Sequence, residues 1–355
     1  MTTAEGRGEP VRPPRSEILA DAGAEGRSAA ALTVDRMRAQ VTDKGHAAFP
    51  GLALLPDGRL VAAWRQAEAH MPPSKGVIEL AYSADGGGTW TEPRVVVDDP
   101  SWDVRDASLA VLDGVLHLSF FKHNGVIPTG CYVVTSADGG ATWSAPSRIG
   151  NLARAATCAP LVRSRGTVYA VYYGRENGSQ AFDSAFVSAS RDGGGTWSER
   201  TVIARGVDRD YQEPYLVDTG DALVCLFRYG NAFAIGRSVS LDGGRTWSEP
   251  APVVARAGGK PAVACTDGTL IALYRRLPDG AAVARRSHDL GLTWSAEVFV
   301  DSAAVWMSYA APAVLEDGVT AWIYGLETDM GRGRSGGESR LYVRYLLTSG
   351  AQPSA

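Results

Sequence analysis

Ser83–Trp90 reads SADGGGTW, and the pattern returns four times: SADGGATW at Ser136–Trp143, SRDGGGTW at Ser190–Trp197, SLDGGRTW at Ser240–Trp247 and SHDLGLTW at Ser287–Trp294. All five fit S-x-D-x-G-x-T-W, and their starts lie 53, 54, 50 and 47 residues apart. A repeat of that period marks stacked or ring-closed supersecondary units. Each residue type has a local reason. An Asp carboxylate accepts hydrogen bonds from the amides of its own turn. Glycine permits positive φ where the chain reverses. Thr and Trp re-enter a strand, with the indole covering the packing layer. The box is therefore expected to be a hairpin turn between the outer strands of a blade, which gives Asp85, Asp138, Asp192, Asp242 and Asp289 a structural role.

A second repeat runs in phase with the first. Apolar stretches enter and leave tight turns at Pro56-Asp57-Gly58, Leu112-Asp113-Gly114, Ser164-Arg165-Gly166, Thr219-Gly220-Asp221, Thr266-Asp267-Gly268 and Glu316-Asp317-Gly318. These are hairpin signals. They predict an all-β chain, a six-bladed β-propeller of four-stranded antiparallel blades. The expected blades are about 44–100, 101–152, 153–205, 206–256, 257–303 and 304–348. Residues 1–29 and 349–355 are expected tails, and residues 30–348 a single domain. Ala30–Arg38 is the candidate for an N-terminal strand completing the last blade, beside Leu341–Leu347, which would remove a free sheet edge.

Composition narrows the function. Hydrophobic residues make up 45% of the 355 residues, ample for a core. A net charge of −4 leaves no basic footprint for nucleic acid. No apolar run approaches a membrane span. The first 30 residues lack the apolar core of a signal peptide, so a cytoplasmic protein is the expectation. Cys131, Cys158, Cys225 and Cys265 are expected to be buried free thiols. His46, His70, His117, His123 and His288 show no ligand spacing, so neither metal nor cofactor is expected.

Topology sorts the remaining polar residues. If inner strands start on one face and end at the hairpin turns, boxes and turns share the opposite face. A ligand then meets inner-strand starts and second-strand ends. The starts are Ala48-Phe49-Pro50, Arg105-Asp106, Thr157-Cys158, Gln212-Glu213-Pro214, Lys260-Pro261 and Tyr309. The ends are Arg65, Lys122, Tyr173, Arg228, Arg275-Arg276 and Tyr324. A charge opening an apolar strand is unfavourable unless paired or facing water. This ring therefore reads as a funnel for a carbohydrate or another small polar ligand. The plainer reading is a wet channel with structural ion pairs. Asp103, beside Arg105-Asp106, and Asp208 and Asp210, before Glu213, add carboxylates that fit either acid/base work across a sugar or loop-shaping pairs with Arg.

The boxes make the chain resemble the sialidase superfamily over roughly residues 44–348. The resemblance implies a Tyr–Glu couple. Tyr309 keeps the family's spacing to the last hairpin turn, and Gln212-Glu213-Pro214 occupies the place of the Glu. Arg228, in Phe227-Arg228-Tyr229-Gly230, matches one Arg of a carboxylate-binding triad. A free phenol is a weak nucleophile at neutral pH, and a carboxylate in reach can take its proton. The departures are specific. Ala48-Phe49-Pro50 stands where the family has R-I-P, and Gly325 stands where a Glu supports that Arg. The third Arg has no match in place, and Arg275 or Arg276 is the candidate. The blade-one loop Gln66–Lys75 holds no Asp for acid/base work, leaving Glu68 and His70, with Asp106 as a further candidate. Arg65, Arg105, Lys122, Lys260 and Tyr324 are further candidate substrate contacts. The expected function is a glycoside hydrolase of altered specificity. The alternatives are a non-catalytic carbohydrate-binding or scaffold propeller, or a lyase or other reaction on a glycan or small metabolite.

Overall fold

The computed structural model describes residues 31–35, 38–70, 74–177, 180–230, 233–301, 306–316, 318–328 and 338–348. Both expected tails, and Asp317 of the last hairpin turn, lie outside the described residues. Every regular element described is a β-strand, arranged as a propeller.

Hydrogen bonding groups the strands into five sheets. Four follow the chain. They begin at Asp103–Leu112, at Ala155–Ala156 with Val162–Ser164, at Tyr211–Asp218 and at Ala257–Thr266, and each runs outward strand by strand. The fifth is nine-stranded. Trp306–Glu316, Val319–Glu327 and Ser339–Thr348 are followed by His46–Leu54, Leu60–Ala67, Val77–Ser83 and Arg94–Val97. A single parallel bridge, Ser339 to His46, joins its two halves. Leu32–Val34 and Ala39–Thr42 both pair antiparallel with Ser339–Thr348, which places an N-terminal segment on that edge.

The inner strands pack side by side around the axis. His46–Leu54 lies against both Asp103–Leu112 and Trp306–Glu316, and the contacts continue through Ala257–Thr266 and Tyr211–Asp218. The approach is close. A Cβ at Gly51 would lie 2.6 Å from the Ala107 carbonyl oxygen, so only glycine fits there. The hairpin turns at Asp113-Gly114, Arg165-Gly166 and Asp267-Gly268 have positive φ at both residues. That is the turn whose twist matches antiparallel strands.

The boxes are self-contained turns. Asp85 Oδ1 accepts from the Thr89 amide at 2.9 Å and from Ser83 Oγ at 2.7 Å, and Asp85 Oδ2 accepts from Thr89 Oγ1 at 2.7 Å. The same bonds recur at Asp138, Asp192, Asp242 and Asp289. They hold the Asp192 and Asp242 carboxyls down at about 2.

Each box also latches a neighbouring strand set. Its fourth residue, at Gly86, Gly139, Gly193, Gly243 or Leu290, has positive φ and turns its carbonyl toward the preceding blade. The Tyr345 hydroxyl donates to Gly86, Tyr82 to Gly139 at 2.9 Å and Tyr169 to Gly243 at 3.0 Å. His117 Nε2 meets the Gly193 oxygen at 3.2 Å, and Arg237 Nε donates to Leu290 at 2.5 Å. Arg165 also donates to the Gly220 carbonyl at 2.8 Å, so hairpin turns meet on this same face.

Asp85→Ala loses three charge-assisted bonds and is expected to lower stability by about 1–3 kcal/mol; Tyr82→Phe, which loses the latch and the bond accepted from Arg94, costs about 1–2 kcal/mol. Denaturant midpoints check both. Equal midpoints for wild type and Asp85→Ala would show that the box carboxylate adds nothing to the fold.

Candidate functional site

At the end of the ring opposite the boxes, the inner strands break register with their partners. The breaks fall between Ala48 and Gly51, Arg105 and Ser108, Gln212 and Tyr215, Gly258 and Ala262, and Met307 and Ala310. Phe49 (φ 56°), Asp106 (φ 57°) and Glu213 (φ 52°) sit in three of these bulges, and Gly259 (φ 72°) sits in a fourth. A bulge re-aims a side chain that a regular strand would direct into the next layer. Lys260 follows Gly259 in that fourth bulge, and Tyr309 lies in the fifth.

The bulges bring the Tyr309 hydroxyl onto Glu213 Oε1, to which it donates a hydrogen bond. Arg228 Nη1 stands 3.2 Å from the other carboxylate oxygen. Lys260 Nζ lies 5.1 Å from the Tyr309 ring centroid and donates to the Cys158 carbonyl at 2.8 Å. Phe49 also packs against Tyr309, with ring centroids 5.1 Å apart. Arg275 donates to the Met307 carbonyl, stacks on Trp306 and fills the space that Gly259 leaves open.

Electrostatics divide these groups. Burial, then the charges of Glu213 and Asp106, push the Tyr309 phenol well above its usual range, while Arg228 opposes them. Burial pushes the Asp106 carboxyl up to about 7, against the pull of Lys260 and Arg105 and with a further push from Glu213. Asp106 Oδ1 and the Nε atoms of Arg228 and Arg275 are buried without a hydrogen-bond partner. Buried polar groups ordinarily have partners, so their convergence marks a surface made for a polar ligand. Tyr309, Arg228 and Tyr173 remain partly exposed and form its accessible part.

Beside this centre lies a second constellation. Glu327 ends the strand Val319–Glu327, and its Oε1 is 2.6 Å from His46 Nε2 and 3.1 Å from His70 Nδ1. Burial raises the Glu327 carboxyl, but bonds from His46 and His70 outweigh it and hold it at about 2. The His70 ring meets Phe49 edge-on at 5.1 Å, and its carbonyl accepts from Arg105 Nη2 at 2.7 Å. The three donor atoms lie within 4.8 Å of one another, although the histidine spacing in the sequence shows no ligand motif.

Several sequence candidates are placed elsewhere. Arg65 is fully buried and its guanidinium is taken up by Asp103, at 2.8 and 3.2 Å, and by the Ala69 and Ser74 carbonyls, so it anchors the blade-one loop. Lys122 pairs with Asp99 at 2.7 Å, and Tyr324 donates to Asp301. Arg276 pairs with Asp279 and Glu297 toward the outer strands. The Glu68 side chain is exposed. Asp208 pairs with Arg209, its neighbour in sequence. Cys131, Cys158 and Cys225 are buried and Cys265 half-buried, all free.

His46 and Glu327 are absent from the sequence candidates. Alternate strand residues share a face. Glu327 is thus one pleat repeat beyond Gly325, and His46 one repeat before Ala48. Glu327 and His46 pair with each other one repeat toward the strand ends from Gly325 and Ala48. A Cβ at Gly325 would lie 2.3 Å from Ser308 Oγ, so Ser308 stands where a larger residue would begin. Reading each strand to its last polar residue would have found Glu327.

Residues 58–318 match the family described as BNR repeat-like domain. The chain belongs to that family. Among curated proteins no sequence matches it. A Dyadobacter fermentans protein of unknown function superimposes with TM-score 0.75 at 19% identity, over 88% of this chain and 98% of that one. A Hadza microbial sialidase does so at TM-score 0.69 and 16% identity, over 84% of this chain and 65% of its own. An α-L-arabinofuranosidase from Fusarium graminearum, solved with an iminosugar inhibitor, gives TM-score 0.68 and 15% identity over 86% and 96%. This BNR repeat-like chain shares the fold of these proteins.

Asp106 also sets a pH dependence. Unfolded, its carboxyl ionises near 4; folded, it holds its proton to about 7. The native state binds the extra proton in that window, so this group's contribution to stability falls as pH rises through it. Asp106→Asn removes that loss. It is expected to gain a few kcal/mol on wild type between pH 4 and pH 8, at roughly 1.4 kcal/mol for each tenfold difference in proton affinity between the folded and unfolded chain. Urea midpoints across that range check it, and a constant difference between the two proteins would contradict it.

Proposed function

We propose that this chain is a retaining glycoside hydrolase of altered specificity, working at the axis of a six-bladed ring. The count of six treats the nine-stranded sheet as two blades joined by the Ser339–His46 bridge. The observation that carries the activity is the hydrogen bond from the Tyr309 hydroxyl to the Glu213 carboxylate. As the Tyr309 oxygen attacks the anomeric carbon, Glu213 takes the phenolic proton, so no free phenolate forms. The bond to the leaving group breaks, and protonated Asp106 supplies the proton its oxygen needs. Ionised Asp106 then removes a proton from water, which attacks the same carbon. Tyr309 departs, taking its proton back from Glu213. Two displacements leave the anomeric configuration retained. Arg228, Arg105, Lys260 and Arg275 would orient the sugar and steady the carboxylates.

A second reading rests on Asp106 and Glu213 alone. A carboxyl pushed up by burial and a carboxylate paired with Arg228 can divide the roles of acid and nucleophile. Tyr309 would then only position Glu213.

The two readings separate by substitution, once a panel of aryl glycosides with sialic acid, uronic acid and pentose donors has identified a substrate. In the first reading Tyr309→Phe and Glu213→Gln each lower turnover by about a thousandfold or more, on the order of 4 kcal/mol in the barrier. In the second only Glu213→Gln does. Near wild-type turnover in both variants would remove the couple from the chemistry. Because Ala48 and Gly325 replace a charged pair, an aryl sialoside is expected to be a poor substrate. Efficient sialoside cleavage would mean that Arg105, Arg275 or Lys260 holds the carboxylate instead.

A further inference from the structure

The geometry points to a divalent transition-metal site formed by His46, His70 and Glu327, with zinc the best fit. Its ligands come from three remote segments. His46 opens the first inner strand, His70 belongs to the blade-one loop, and Glu327 closes the strand Val319–Glu327. Two imidazole nitrogens, His46 Nε2 and His70 Nδ1, face the same carboxylate oxygen at 2.6 and 3.1 Å. The rings stand edge to face at 89°, with centroids 5.4 Å apart, so their lone pairs converge without stacking. Two nitrogens and one carboxylate oxygen form the donor set of zinc and non-haem iron sites that keep open positions. A tetrahedral zinc with ligand distances of about 2.0–2.2 Å needs donors roughly 3.3–3.5 Å apart. The observed spacings, from 2.6 Å to at most 4.8 Å, bracket that value.

An independent observation favours an ion over a plain hydrogen-bonded triad. Glu327 Oε2 is buried and unpartnered. A triad held by hydrogen bonds alone uses one carboxylate oxygen for both imidazoles and leaves the other bare. A metal can draw on both oxygens. The surroundings also suit an exchangeable ion. His46 and Glu327 are buried, whereas His70 is partly exposed, and its side is the way in. Arg105 donates to the His70 carbonyl, and Phe49 touches both the His70 and the Tyr309 ring. A bound ion would thereby fix the blade-one loop against the wall of the funnel. This inference does not depend on the reaction proposed above, because its test reads metal binding and not turnover.

The test uses the full, tag-free chain, stripped with a chelator and titrated calorimetrically with zinc chloride. Cobalt(II) serves as the visible-absorbing probe. One zinc per chain is expected, with a rise in thermal midpoint and a cobalt d–d band that zinc abolishes. His70→Ala and Glu327→Gln should each weaken zinc by at least about tenfold, the lower end of what altered metal surroundings cost, and remove the cobalt band. No zinc uptake by the wild-type protein would overturn the site. So would uptake that both variants retain, or binding of calcium alone. Should Glu327→Gln not fold, His70→Ala decides, because its side chain lies in a loop and takes no part in the core.

Discussion

Five inner strands of this ring carry, near the axis, one residue more than their partner strands can pair, or two at Gly258–Ala262. That surplus is the constraint on which the centre depends. Left-handed φ is unfavourable for residues with a Cβ by roughly 1–2 kcal/mol each, yet Phe49, Asp106 and Glu213 adopt it. In return their side chains leave the sheet layer and converge on the axis. A regular strand would have directed the Glu213 carboxylate into the packing between sheets, out of reach of Tyr309.

The bulges also explain why so much charge survives burial. Glu213, Asp106, Arg105, Lys260 and Arg275 are all largely buried, within a core of small apolar residues. Isolated ions do not tolerate such a place. Here each cation has a carbonyl, a carboxylate or a ring. Lys260 has the Cys158 carbonyl and two tyrosine faces, Arg105 has the His70 carbonyl and the Phe49 face, and Arg275 has the Met307 carbonyl and Trp306. Asp106 meets the difficulty by holding its proton.

What the sequence displays is the local part of this design. The boxes and hairpin turns are self-sufficient over a few residues, so their spacing exposes the repeat and the opposite ends of each strand. Tyr309, Glu213 and Arg228 follow because their positions can be counted from those turns. Arg65 and Lys122 can be counted in the same way, but their partners Asp103 and Asp99 belong to another part of the chain, and only the fold shows that they are engaged. His46, His70 and Glu327 are hidden for the same reason: Glu327 is 281 residues from His46 in sequence. The Ser339–His46 bridge, which merges two strand sets into one sheet, likewise has no sequence signature.

The pairing of Leu32–Val34 with Leu346–Thr348 has a kinetic meaning. Thr33 and Leu347, bonded side chain to carbonyl, are 314 positions apart. Nearly the whole chain must be threaded into its ring before these strands can find each other, since closing so long a loop early would forfeit its entropy with no contacts in return. The other sheets form between near neighbours in sequence. The seam at Ser339–Thr348 is therefore where the ring closes last and, by reversal, where it opens first. His46 and Glu327 stand on the two sides of that seam, so an event that loosens it reaches the wall of the funnel before it reaches the rest of the molecule.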